Sequence, residues 1–106
     1  MSALPAVIGR HAMRDYRKFY VGGSWVDPQS ANPADVINPA TEEVVGAITL
    51  GNPADVDTAV AAARAAFPAY SSTTREERLD LLKAIASEYQ RRIDDVAAAI
   101  SEEMGA

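Results

Sequence analysis

At Asn52-Pro53 the apolar residues change their spacing. Before this point, short aromatic and β-branched runs lie between clusters of Gly, Pro and Asn, as expected for strands joined by turns. After it, apolar residues return every three or four positions, as expected for helices with one apolar face. The fold class this implies is α/β, with N-terminal β-hairpins over about residues 18–49 followed by amphipathic helices over about 53–67 and 74–104.

The first hairpin is written in Phe19-Tyr20-Val21 and Ser24-Trp25-Val26, separated by Gly22-Gly23. Two glycines supply the positive φ angles of a tight primed turn. A phosphate-holding loop would need more glycines and a helix behind them, whereas Asp27-Pro28 follow here, so the pair is read as a turn. Residues 27–35 are loop formers, Val36-Ile37 begins a strand, Asn38-Pro39-Ala40-Thr41 turns the chain, and Glu42 to Thr49 returns it.

Asn52, Pro53 and Asp55 form a helix start: a capping side chain, a proline at the first helical position and a carboxylate near the positive end of the dipole. Val56, Val60, Ala63 and Phe67 share a face, and Pro68 is expected to end that helix by disfavouring the α conformation at Phe67. Thr73-Thr74-Arg75-Glu76 fits a capping box, followed by a stripe of Leu79, Leu82, Ile85, Tyr89, Ile93, Val96, Ile100 and Met104. Arg91-Arg92 before Asp94-Asp95 is the expected break, with Gly105 as the cap of the second segment. On this pattern Phe67, Leu82, Ile85 and Ile100 are expected to be buried.

The chain has 106 residues, 48% of them hydrophobic, and much of that share is alanine, so any core is expected to be thin. With no cysteine, it has neither disulfide nor thiol nucleophile. The net charge of −5 argues against a nucleic-acid partner. Residues 1–20 carry a net +3 from Arg10, Arg14, Arg17 and Lys18 against Asp15, which leaves −8 for the remainder. No window has the ~20 apolar residues of a membrane span, so no membrane association is expected and a cytoplasmic setting is. Residues 1–13 read as a flexible extension preceding a unit over 14–106; Ser2 is the only serine or threonine among the first 20, unlike a transit peptide.

Chemistry-bearing residues are few. His11 is the only histidine and has no acid at a motif spacing. Glu76 and Asp80 share a helix face but two carboxylates do not make a metal site. Lys18 and Lys83 are the only lysines, and neither has the apolar setting that would depress an amine pKa. No catalytic and no cofactor-binding residue is assigned.

Taken in order, Phe19 to Val26, Ile37-Asn38-Pro39-Ala40-Thr41-Glu42-Glu43-Val44-Val45-Gly46, Ala54-Asp55-Val56-Asp57 with Ala59 to Phe67, Arg75 to Leu82, and Glu103-Met104-Gly105 resemble the opening of the aldehyde dehydrogenase superfamily across residues 14–106. The resemblance implies an incomplete part of a coenzyme-binding domain, packed on its outer side, in a parent several times longer and expected to be a homo-oligomer. Such a parent oxidises an aldehyde to a carboxylic acid through a cysteine thiohemiacetal, with NAD or NADP as hydride acceptor. Its catalytic cysteine, glutamate base and oxyanion-hole asparagine would follow Ala106, so this chain alone is expected to bind no cofactor and to be inactive, with the remainder of the parent chain as its partner. Some members hold a monovalent cation partly through backbone carbonyls before the Asn-Pro, here Val36 and Ile37. Gly105-Ala106 departs from the common Gly-Lys-Pro, which leaves the substrate open. The alternative is a free-standing, non-catalytic structural or interaction module derived from the segment.

Overall fold

The computed structural model describes residues 13–106. The extension expected over residues 1–13, Met13 apart, and with it His11, lies outside the described residues. The order is β1 (Arg14–Tyr16), β2 (Phe19–Val21), β3 (Ser24–Val26), β4 (Pro33–Ile37), β5 (Val44–Thr49), α1 (Pro53–Ser71), α2 (Arg75–Arg91) and α3 (Ile93–Met104). This is the expected α/β arrangement.

Strands β2 and β3 form a two-stranded ribbon of their own, closed by Gly22 and Gly23 at φ 62° and 87°. Both angles lie in the left-handed region that a tight primed turn demands. Tyr20 and Trp25 are cross-strand partners, with ring centroids 5.2 Å apart in an edge-on arrangement. The other three strands make a mixed sheet in the order β1-β5-β4, with β4 antiparallel and β1 parallel to β5. At the β4–β5 turn Asn38 Oδ1 accepts from the Ala40 N–H at 2.9 Å, and the Asn38 carbonyl accepts from the Glu42 N–H at 2.8 Å. This is the local self-capping that makes asparagine a turn residue.

Strand β1 was not expected: Arg-Asp-Tyr has no apolar alternation, and its pairing with Gly46 to Ile48 comes from distant sequence. Strand β4 also begins earlier than the expected Val36, at Pro33. Because β4 lies at the sheet edge, the missing N–H of a proline at its first position is tolerated.

Helix α1 starts as expected. Asn52 Oδ1 accepts from the Asp55 N–H and Asp55 Oδ2 accepts from the Asn52 N–H, each at 2.9 Å. The same carboxylate takes the Gln29 N–H at 2.8 Å, tying the β3–β4 loop to the helix start. Pro68 does not end the helix, which runs one turn further to Ser71. Three hydroxyls support the added turn: those of Ser71, Ser72 and Thr73 donate to the carbonyls of Pro68, Ala69 and Tyr70 at 3.0, 2.9 and 2.7 Å. The proline bias at Phe67 is a preference, and these bonds satisfy carbonyls that a helix end leaves open.

Thr73 is thereby committed to the end of α1, so the capping box of α2 uses Thr74 and Glu77, one residue later than the expected Thr73 and Glu76. Thr74 Oγ1 accepts from the Glu77 N–H at 3.1 Å, and Glu77 Oε2 accepts from the Thr74 N–H at 2.8 Å. The break falls at Arg92, as expected, with φ −114° and ψ 15°. Gly105 caps α3 at φ 74°.

The expectation of burial fails: Phe67, Leu82, Ile85 and Ile100 are 66%, 63%, 57% and 54% exposed. Among the described residues no hydrophobic side chain is fully buried. Helix α1 rests on the ribbon where Ala62 meets Gly22, but the large apolar side chains of α2 and α3 stay largely exposed. The radius of gyration, 16.7 Å, is correspondingly above the about 13 Å of a compact 100-residue domain.

Candidate functional site

The polar candidates do not converge. Lys18 lies 3.6 Å from Asp27 in an exposed ion pair, Lys83 is exposed on α2, and Glu76 and Asp80 face solvent. Among the described residues no group of three or more His, Cys, Asp or Glu side chains could hold a metal ion. Val36 and Ile37 end β4 at a register shift: Val36 is opposite Gly46 and Ile37 opposite Val44, so Val45 is the extra residue.

A cleft of 280 Å³ gathers Asp15, Arg17, Lys18, Asp27 and Thr49. Its charges are already matched, since Arg17 Nε and Nη2 donate to Asp15 Oδ1 and Oδ2 at 2.8 and 2.7 Å. Those side-chain bonds, together with one from the Arg17 backbone, draw the Asp15 carboxyl down from 3.8 to about 2. On α2, the Arg91 guanidinium binds Glu88 and likewise lowers its pKa. Such pairs tie up the charges they involve.

The surface with unmet physical demand is apolar. A groove of 420 Å³ runs between Tyr16 on β1 and Ile85, Tyr89, Val96 and Ala99 on α2 and α3. Leu82 and Ile85 continue the exposed strip along α2. Exposed apolar area of this extent is unusual on a finished soluble monomer and normally marks an interface.

One enclosed charged residue was passed over in the sequence reading. Arg14 has a side chain only 4% exposed, and its Nη1 sits 3.2 Å from Glu102 Oε2 on α3. The only sequence signal was the short basic cluster at residues 1–20; nothing local marks Arg14 apart from Arg17.

Residues 25–106 match the model of the aldehyde dehydrogenase family. The chain is 52% identical over 94 residues to a 3-succinoylsemialdehyde-pyridine dehydrogenase of a Pseudomonas species, covering 89% of this chain and 20% of that relative. Its fold is similar to an aldehyde dehydrogenase from Bartonella henselae, with a TM-score of 0.87 and 42% identity over 89% of this chain and 20% of the other. It is also similar to a variant of aldehyde dehydrogenase C from Pseudomonas syringae in complex with NAD+ and octanal, with a TM-score of 0.83, 49% identity, and 85% and 19% of the two chains covered. The chain therefore spans about a fifth of the length of the proteins it matches.

Proposed function

The chain belongs to the aldehyde dehydrogenase family, and from that membership we propose that it serves as the N-terminal scaffold of an NAD(P)-dependent enzyme that oxidises an aldehyde to a carboxylic acid. The observation that carries this reading is the exposed strip of Leu82, Ile85 and Tyr89 in a chain that matches 20% of much longer relatives. A stripe of large side chains at helical spacing, each half or more exposed, is the surface a covering domain would bury.

In this reading the chemistry belongs to residues outside the sequence. A cysteine elsewhere in the parent adds to the aldehyde carbonyl, hydride leaves the resulting thiohemiacetal for the nicotinamide, and water releases the acid. The NAD+ bound by the Pseudomonas syringae relative supports NAD+ as the acceptor. This chain has no cysteine and so supplies no thiol. Its part is to present β1–β5 and the apolar faces of α2 and α3 as a support.

The carbonyls of Val36 and Ile37 we assign to a monovalent cation in the parent. Backbone carbonyls are hard oxygen donors. Both residues lie on an edge strand, at the register shift where the regular ladder with β5 is interrupted.

A chimera tests the scaffold reading. This chain would replace the matching segment of the 3-succinoylsemialdehyde-pyridine dehydrogenase, and reduced nicotinamide would be followed by absorbance. Retained aldehyde oxidation by the chimera, with none from the 106-residue chain alone, is the expected result. A folded chimera without turnover, or turnover by the chain alone, overturns it.

A further inference from the structure

The face of α3 turned toward the sheet is only weakly apolar. Its half-buried positions are Val96, Ala99, Glu102 and Gly105, at a regular spacing of three, while the large residues Ile93, Ile100 and Met104 are exposed. One carboxylate, one glycine and two modest apolar side chains provide little area to hold a helix in place. Opposite them is Arg14, whose Nε, Nη1 and Nη2 are buried with no hydrogen-bond acceptor among the described residues, and whose counter-ion there is Glu102. At the other end α3 joins α2 through Arg92, which lies outside helical geometry and provides no side-chain cap.

We propose that Arg14 and Glu102 form a latch that fixes α3 against β1, and that α3 pivots about Arg92 when the pair is broken. A buried guanidinium is tolerated only with its counter-charge in place, because desolvating an ion is unfavourable unless a partner offsets it. The Glu102 carboxylate, on a side chain 32% exposed, can turn to water, whereas Arg14, at 4%, cannot do so without moving the elements over it. Seating α3 is thus the condition under which Arg14 keeps a partner, and an ion pair sets helix position more sharply than loose apolar contact. Movement of α3 would reshape the 420 Å³ groove, since Val96 and Ala99 of α3 line it together with Tyr16 of β1 and Tyr89 of α2.

Amide hydrogen exchange on the 106-residue chain reads this directly, with residues 96–104 as the reporter and the β4–β5 ladder as internal control. In Glu102→Gln, exchange over 96–104 is expected to rise roughly tenfold or more while the ladder is unchanged, as a lost buried pair predicts. Arg14→Met, which removes the charge and its unmet donors together, is expected to free α3 in the same way. The proposal is overturned if Arg14→Met leaves α3 as protected as in the unsubstituted chain, if Glu102→Gln changes nothing, or if the ladder loses protection along with α3.

Discussion

Gly105 closes α3 directly against Pro39: a Cβ at Gly105 would lie 2.9 Å from Pro39 Cγ and 3.0 Å from the Ala40 nitrogen. The C-terminal cap of the last helix and the Asn-Pro turn of the sheet are therefore one contact. Gly105→Ala meets two penalties, the left-handed φ of 74° and the missing space. The first alone is worth about 1–2 kcal/mol. Gly23, at φ 87° with nothing within 4 Å of its would-be Cβ, carries only the first. Denaturant melts of Gly105→Ala and Gly23→Ala should show the larger loss for Gly105; equal losses would mean the turn moves away at no cost.

The adjacent threonines have divided work. Thr74 caps α2, and Thr73 caps the end of α1. Thr74→Ala should lower helix stability by about 0.5–2 kcal/mol, the usual effect of removing such a cap. Helicity followed by circular dichroism through a thermal melt checks this, and a larger effect from Thr73→Ala would place the box one residue earlier.

Ile85 separates the chain alone from the chain in a larger protein. At 57% exposure, Ile85→Ala in the 106-residue chain should change stability by no more than about 0.5 kcal/mol. Where another domain covers the strip, the same change should remove about 2–5 kcal/mol. The uncovered strip should also drive self-association, seen as concentration-dependent sedimentation and diminished by Ile85→Glu. A compact, cooperatively melting monomer at all concentrations would count against both the exposed strip and the scaffold reading.

The Asp15–Arg17 pair gives a pH signature. Because Arg17 holds the folded Asp15 carboxyl at about 2 against an ordinary 3.8, the pair's contribution is complete above about pH 3.8 and fades as pH falls through about 2. A carboxyl NMR titration should place the Asp15 midpoint near 2, and Arg17→Gln should return it toward 3.8. Both partners are more than half exposed, so high salt should weaken the shift. An unchanged midpoint in Arg17→Gln would show that another group holds the charge.

The sequence by itself determined the features made by residues within about four positions of one another. The Gly22-Gly23 turn, the Asn52–Asp55 box, the Arg92 break and the Gly105 cap each rest on a backbone angle or a hydrogen bond that closes locally, so residue type and spacing were sufficient to read them. The motif order across residues 14–106 likewise carried the family. Where two local readings competed, the sequence could not choose: Thr73 and Thr74 both begin a Thr-x-x-Glu box, and Pro68 can end a helix or be carried through by three hydroxyls. Tertiary structure alone decided that Arg-Asp-Tyr becomes a strand, because its partner lies at Gly46 to Ile48, and that Arg14 rather than Arg17 is enclosed. It also decided that the apolar stripe of α2 stays exposed. A stripe records which side of a helix favours burial, while burial itself requires a second surface, and among the described residues none covers Leu82, Ile85 and Tyr89, which stay half or more exposed.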